Sequence, residues 1–443
     1  MNKYSSNIFK NKKYAHFDVK KNPEDYESRI SNRDWVSTHG FFPFIHYEMQ
    51  FNKYVRKVGF DKYTKEKKTK TRHIYYSSHI DRYIYQYYSN ELNNCYNDIV
   101  LKNNINNSSI AYRNNLRGKC NIHFAKEVID FISKQENAFI YIADFTSFFD
   151  RLNHSYLKDK LCEVLNTKWL PKEHFAIYKN ITNFSYVEKE DILKYKNIGK
   201  KKFEDLNVIF DTTEEFKKFK KLYLKKHKDS ENGKKNIGIP QGSSISAVYS
   251  NIYMIDFDKQ VNEYVERNNG IYRRYCDDII VVIPINEGDC SYNEHIEIIN
   301  DIQLSVPDLI ISEEKTSKFL YTNGTIKGID RTSKNTIDYL GFSYDGKSVK
   351  IREKSLFKYY SRMYKKVRIV KKRSELFKRK ANRRRLYKLY SHLGAHPSNG
   401  HGNFLTYAYK SYEIFGEENE YKNMIRRQVR NHWKSMYKRI NSE

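Results

Sequence analysis

Two adjacent carboxylates, Asp277 and Asp278, sit in the stretch Tyr275-Cys276-Asp277-Asp278, and a third, Asp144, ends an apolar run far earlier in the chain. Carboxylates forced together cannot all stay ionised cheaply unless they share a cation. Hard oxygen donors of this kind suit Mg²⁺, which is held by one or two carboxylates plus substrate phosphates. A plainer reading of the pair is a hairpin turn that uses Asp because Asp turns well. For the carboxylates after the apolar run the plainer reading is a helix N-cap. Asp150 or Asn153 would then accept N–H bonds from the helix of Tyr156, Leu157 and Leu161.

The elements that must position these groups follow from pattern. Ile279-Ile280-Val281-Val282-Ile283 is β-branched throughout and reads as a buried strand. Ile271-Tyr272-Arg273-Arg274 before it reads as a second strand and a basic approach, which places the Asp pair on the turn between them. Ala138 to Ala143 is an apolar strand that emerges at Asp144. Gly and Pro in Ile237-Gly238-Ile239-Pro240-Gln241-Gly242-Ser243-Ser244 impose a fixed loop that a ligand can approach closely, and a helix follows through Asn251 and Ile255. Ala111 to Lys119 is a loop carrying three cations, able to grip a triphosphate. Lys65 to Arg72 reads as a solvated charge run leading into a strand at Arg72–Tyr76. Residues 168–235 read as a charged helical insertion on the surface. A hairpin is expected over Asp338–Lys347. From Lys354 the chain turns to basic helices that include Arg383, Arg384 and Arg385.

The 443 residues suffice for two or three subdomains, and a net charge of +28 exceeds what solubility needs. Such an excess of Lys and Arg points to a polyanion, either nucleic acid or an acidic membrane surface. No apolar stretch has the length of a membrane span, and the start of the chain has no signal-peptide core, so a soluble, cytoplasmic protein is expected. Five cysteines without paired spacing fit reduced thiols rather than a zinc module or disulfide framework. The 39 Tyr and 26 Phe would serve base stacking, although AT-rich codons also raise Tyr.

Three strand-associated carboxylates with a Gly/Pro/Gln/Ser loop between them are the set needed to hold two Mg²⁺ about 3.5–4 Å apart for in-line phosphoryl transfer. In this the chain resembles a reverse transcriptase. Asp144-x-x-x-Phe148-Phe149-Asp150 is similar to the family's first catalytic motif, and Pro240-Gln241-Gly242-Ser243 to its nucleotide- and template-positioning motif. Tyr275-Cys276-Asp277-Asp278 resembles the Y-x-D-D hairpin, Glu314-Lys315-Thr316 the motif after it, and Tyr339-Leu340-Gly341-Phe342 the primer grip. The resemblance implies an α+β right-hand polymerase and an RNA-directed DNA polymerase activity. It divides the chain into an N-terminal extension (1–65), fingers (66–137), palm (138–346, with the insertion at 168–235) and a basic helical thumb (347–443).

Residue roles follow from the same resemblance. Asp144, Asp277 and Asp278 would be the catalytic metal ligands, for two Mg²⁺ with Mn²⁺ as a substitute. Phe149 would be the steric gate against a ribose 2′-OH. Arg72 and Arg113 would grip the triphosphate, Gln241 and Gly242 would line the nucleotide and template pocket, and Lys315 would assist the departing pyrophosphate. Leu340 and Gly341 would hold the primer, and Arg383, Arg384 and Arg385 would bind RNA. Ala247, Ala111-Tyr112-Arg113 and Phe124-Ala125-Lys126 look most like bacterial defence-associated enzymes of the abortive-infection and formerly unassigned groups, related to retron and group II intron reverse transcriptases. That likeness implies antiphage defence with a structured non-coding RNA as template, dNTPs as substrates and DNA as product. A homo-oligomer is compatible with it. Template-independent or protein-primed synthesis, and a catalytically idle RNA-binding protein, are the competing expectations.

Overall fold

The β-branched run Ile279–Ile283 forms a buried strand, and the chain is built outward from it. The computed structural model describes residues 9, 12–56, 65–227, 236–288, 292–329, 334–379, 383–394, 402–417 and 420–441. Its strands are β1 (Phe44–Arg56), β2 (Lys65–Tyr76), β3 (Asn137–Asp144), β4 (Ser185–Glu188), β5 (Lys225–Lys226), β6 (Ile271–Tyr275), β7 (Asp278–Pro284), β8 (Ser317–Thr322), β9 (Thr325–Gly328), β10 (Ile337–Tyr339), β11 (Phe342–Tyr344), β12 (Ser348–Ile351) and β13 (Lys422–Asn423). They make three sheets, ordered β6-β7-β3-β8-β9, β2-β1-β4-β5 and β10-β11-β12-β13. The main helices are α1 (His79–Lys102), α2 (Asn121–Ser133), α3 (Ser244–Tyr253), α4 (Ile255–Arg267), α5 (Tyr292–Leu304), α6 (Glu353–Leu376), α7 (Arg384–Tyr390), α8 (Phe404–Phe415) and α9 (His432–Asn441).

The five-stranded sheet is covered on both faces, which is why β3 and β7 read as continuous apolar runs. Successive side chains alternate between two cores. Phe139, Tyr141, Ile279 and Val281 pack with Ile245, Tyr249, Val261 and Ile299 of α3, α4 and α5. Ala138, Ile140, Ile280 and Val282 pack with Ala125 and Ile129 of α2, with Phe342 of β11 and with Leu405 of α8. A separate small cluster joins α6, α7 and α9 through Met363, Val367, Leu386 and Met436. No helix among the described residues is long and apolar enough to cross a membrane. Cys95, Cys120, Cys162 and Cys276 are free thiols, and Cys290 lies outside the described residues.

Several expectations are corrected here. Lys65–Arg72 is not a loop: it is the first part of β2, paired with β1 from Arg56↔Lys65 to Ile45↔Tyr76. An antiparallel pair needs only its ladder, so a charge run can be a strand. A division at residue 65 would cut through this pairing. Of the expected insertion at 168–235, residues 228–235 lie outside the described residues, and 168–227 are not a surface appendage. β4 pairs in parallel with β1 over Phe44–His46, and Val187, Ile192, Phe203 and Phe219 bury against Ile45 and Phe17 in their own core. The apolar residues are sparse but arrive at the sheet together. A division at residue 346 likewise cuts a sheet, because β12 pairs with both β11 and β13.

The two outer parts of the fold meet at the Gly/Pro loop. The Tyr75 N–H of β2 donates to the Gln241 carbonyl at 3.0 Å. Gly242 has φ +124°, and a Cβ there would stand 2.7 Å from the Tyr75 carbonyl oxygen. Gly242→Ala should therefore cost roughly 1–3 kcal/mol in urea unfolding. Gly118→Ala, with φ +79° and nothing within 4 Å, should lose clearly less.

Candidate active site

Antiparallel pairing sets Asp144 of β3 directly opposite Asp278 of β7, and Tyr275 of β6 opposite the same Asp278. Cys276 and Asp277 are thus the two residues of a tight hairpin turn. Cys276 adopts φ +62°, a left-handed conformation that costs a non-glycine residue about 1–3 kcal/mol.

What holds that turn is Arg274, wholly buried beneath it. Its Nη1 donates to the Cys276 carbonyl at 3.0 Å and to Asn251 Oδ1 of α3 at 3.2 Å. Its Nε and Nη2 donate to the Asp258 carboxylate of α4 at 2.7 and 2.6 Å, and Nη2 also to Ser109 Oγ at 3.1 Å. The Tyr272 hydroxyl adds a 2.7 Å bond to Asp258. The expected basic approach to the site is therefore corrected. Arg274 faces inward, and Arg273 is buried and paired with Glu127. Sequence reasoning missed Asp258 and Asn251 altogether; they look like ordinary helix positions, and only the buried charge explains them.

Asp144 Oδ2 forms an ion pair with Lys315 Nζ, from the turn Glu313–Lys315. Its Oδ1 is buried and has no hydrogen-bond partner among the described residues. Burial, then the charge of Asp144, raises the pKa of Asp277. Asp278 is exposed, yet desolvation and the charges of Asp277 and Asp144 push it up to about 6, against the pull of Lys315 and Arg352. An orphaned carboxylate oxygen beside two carboxyls that resist ionisation is a donor set suited to a hard divalent cation. Among the described residues no three His, Cys, Asp or Glu side chains are grouped so as to hold a metal ion by themselves.

Beside the hairpin lies a cleft of about 730 Å³ lined by Arg72, His73, Phe149, Asp150, Gln241, Asp277 and Lys315. Across Phe149 and Gln241 a larger cavity of about 1300 Å³ opens between β2, α1 and the start of α3, with Gly242 in its wall. Arg113 faces neither. It donates four hydrogen bonds to Asn97, Asn106 and Ser109, at 2.6–3.2 Å. The expectation of Arg113 as a free triphosphate grip is therefore corrected: its guanidinium is spent tying the 106–113 loop to α1. The cap reading of Asp150 is corrected too. Asn153 Oδ1 accepts the Tyr156 N–H at 3.1 Å, while Asp150 lies near His73 and His227.

Leu340 and Gly341 form the β10–β11 turn with φ of +44° and +97°. The Leu340 carbonyl accepts from Asn121 Nδ2 at 2.9 Å, and that of Gly341 from the Arg352 N–H at 2.9 Å. Arg384 and Arg385 are exposed on α7, and Arg383 donates to Asn441 Oδ1 at 3.2 Å.

The fold is a mixture of helices and sheets, and its five-stranded sheet carries the carboxylate hairpin between β6 and β7. Residues 203–344 match the family described as reverse transcriptase (RNA-dependent DNA polymerase). Residues 203–344 thus resemble a reverse transcriptase domain, and the match covers less than half of the chain. The matched span takes in Gln241, Asp277, Asp278, Lys315, Leu340 and Gly341 and begins after Asp144. Solved structures similar to it include an apo telomerase from Candida tropicalis truncated from the C-terminal domain (12% identity, 66% of this chain and 52% of that one, TM-score 0.40). Another is telomerase from Candida albicans in complex with a TWJ fragment of telomeric RNA (14% identity, 95% of this chain and 66% of that one, TM-score 0.37). The chain spans about half to two thirds of the length of these structures. No curated protein matches it.

Two outcomes follow from the geometry. Arg274→Leu should destabilise the protein by roughly 3–5 kcal/mol in urea unfolding, because it leaves Asp258 charged and buried. Arg385→Leu on the exposed face should stay within about 0.5 kcal/mol. Because Asp278 is raised, the folded state keeps a proton that the unfolded chain gives up. In chelator, thermal stability should therefore fall as pH rises from about 4, the ordinary carboxylate value, to about 6. Asp278→Asn should flatten that fall, and added Mg²⁺ should reduce it.

Proposed function

We propose that this chain copies an RNA template into DNA at the Asp144–Asp277–Asp278 cleft, as a bacterial antiphage defence enzyme whose template is a structured non-coding RNA. The observation that carries the polymerase reading is the register of Asp144 opposite Asp278, with Asp277 at the turn and Lys315 on Asp144. The defence assignment rests on the sequence likeness around Ala111–Arg113, Phe124–Lys126 and Ala247.

Asp144 and Asp277 would hold two Mg²⁺, with Asp278 as a weaker ligand. When bound, such ions lower the pKa of a primer hydroxyl and offset charge on the leaving pyrophosphate. Phe149, standing between the two cavities, would exclude a ribose 2′-OH from the incoming nucleotide. Lys315 is already beside Asp144, so a small swing of its flexible side chain would bring its charge to the departing phosphates. The 1300 Å³ cavity would take the template strand. Arg82 Nε and Nη2, Gln86 Oε1, Asn93 Oδ1 and the Ser243 and Ser244 hydroxyls all line it, buried and unpartnered among the described residues. Buried polar groups are ordinarily paired, so this mixture of donors and acceptors calls for a ligand carrying both, as a nucleotide does. Leu340 and Gly341 would seat the primer, and Arg383, Arg384 and Arg385 would hold RNA along the thumb. The fingers would comprise the β2-β1-β4-β5 sheet with α1, and the palm the five-stranded sheet with α2 to α5.

Primer extension on an RNA template should proceed with dNTPs in the parent protein. Asp277→Ala should reduce it on the order of a thousandfold, and Phe149→Ala should admit ribonucleotides. Equal extension by parent and Asp277→Ala would sink the catalytic reading. Sequencing the RNA and DNA that copurify with the protein should return one structured RNA and its complement; a random mixture would remove the dedicated template.

A further inference from the structure

Trp is highly buried on average, yet Trp169 is 71% exposed. It stands two residues ahead of Pro171, the N-cap of the helix Lys172–Thr182. Phe175 on that helix is 44% exposed. Each ring has a cation beside it. Lys168 Nζ lies 5.9 Å from the Trp169 centroid, and Lys158 Nζ lies 5.8 Å from that of Phe175.

Lys172, Phe175, Ala176, Lys179 and Asn180 recur at three- and four-residue spacing, so they share one face of the helix. With Phe41 and the end of the short helix Arg33–Thr38, that face lines a groove of about 560 Å³. The face carries no carboxylate. The one acid of the helix, Glu173, is buried and lies 3.6 Å from Arg33 Nε. Lys172 and Lys179 are exposed, and no ion pair holds either of them among the described residues.

The groove is separate from the candidate active site. It shares no lining residue with the 730 Å³ cleft or the 1300 Å³ cavity. His174 packs the helix onto α1, with its ring against Tyr88 and its Nε2 3.8 Å from Glu91. Arg82, Gln86 and Asn93 of α1 line the 1300 Å³ cavity. On a helix of 3.6 residues per turn, Glu91 lies nearly opposite Gln86 and Asn93. The helix thus packs on the side of α1 away from the cavity.

Rings open to water, with ammonium groups along the same face, suit a polyanion built of flat bases. Bases stack on the rings, and phosphates meet the lysines. Lys172 and Lys179 stand two helical turns apart, with Phe175 between them. An acidic peptide would satisfy the lysines alone and leave both rings in water. The polar groups of the groove favour ribose. The Ser37 and Thr38 hydroxyls donate to the Asp34 carbonyl at 2.8 and 3.2 Å, and the Asn180 amide donates to the Tyr85 hydroxyl. Their oxygens are left to accept, and a 2′-OH can donate to them where deoxyribose cannot.

We propose that this groove holds single-stranded RNA, with one base on Phe175, phosphates at Lys172 and Lys179, and a neighbouring base on Trp169. The site goes beyond the polymerase reading, because it would retain an RNA segment across α1 from the cavity assigned to the template.

The test is binding of a short labelled oligoadenylate RNA to the full chain, with saturating primer–template present to fill the cleft. The parent should bind it, and the deoxyadenylate of the same length should bind clearly less tightly. Phe175→Ala combined with Trp169→Ala should weaken RNA binding by about tenfold or more, whereas Phe175→Trp, which keeps a ring, should retain it. Lys172→Gln combined with Lys179→Gln should reduce the slope of log K against log salt by about 1.4. Equal RNA binding by the parent and the double alanine variant, an unchanged salt slope, or equal binding of the DNA overturns the proposal. Displacement of the RNA by a glutamate-rich peptide as effectively as by unlabelled RNA also overturns it, and assigns the groove to an acidic protein. The measurement reads no turnover, so RNA held in the groove of a protein that extends no primer would sink the polymerase reading alone.

Discussion

A wholly buried guanidinium is the constraint on which the Tyr275–Asp278 hairpin depends. Arg274 lies under the Cys276–Asp277 turn and satisfies its carbonyl, while Asp258, Asn251 and Ser109 satisfy Arg274. Removing any one of these partners strands a charge or a dipole in a dry site, where it cannot be left cheaply. The arrangement therefore has few alternatives. It locks the turn to α3, to α4 and to the 105–111 segment together, and these are the pieces whose relative placement decides where Asp277 points. A positive φ at Cys276 is tolerated because its surroundings over-determine it.

Above that buried cation the balance of charge reverses. Asp144, Asp277 and Asp278 crowd one another, and the pKa values of the latter two are raised. The hairpin is thus held from below by a permanent cation and frustrated from above by its own carboxylates. Lys315 relieves Asp144 on one oxygen and leaves the other without a hydrogen-bond partner among the described residues. A site in this condition is stabilised by whatever brings positive charge into it. A cation bound there would relieve all three carboxylates at once.

Much of this was legible in the sequence, and the failures share a cause. The β-branched run of β7, the apolar run of β3 and the amphipathic α5 each carry their structure in their own composition, so local pattern suffices. The Tyr275–Asp278 turn was recognisable because its flanking strands were. By contrast, Lys65–Arg72 and Ser185–Glu188 are strands only because β1 lies between them; nothing in either segment states that partnership. Arg113 and Arg274 were both read as outward cations, since charged residues are almost never fully buried unless paired. Their partners, Asn97 and Asn106 in one case and Asp258 in the other, are distant or unremarkable in the chain. Charge is readable from sequence, but its neutralisation is a tertiary fact.

The parallel pairing of β12 with β13 bears on how the enzyme is made. The turn carrying Leu340 and Gly341 belongs to a sheet whose last strand is Lys422–Asn423, and Gln428 clamps both the N–H and the carbonyl of Ile351. During translation the edge of β12 stays open while the whole of α6, α7 and α8 is being synthesised. A nascent chain can assemble the carboxylate hairpin and its sheet early, but not the sheet that carries the Leu340–Gly341 turn. The order of synthesis thus delays completion of the fold until the helical C-terminal part has folded back, so a ribosome-bound intermediate would hold the carboxylates without the finished β10-β11-β12-β13 sheet beside them.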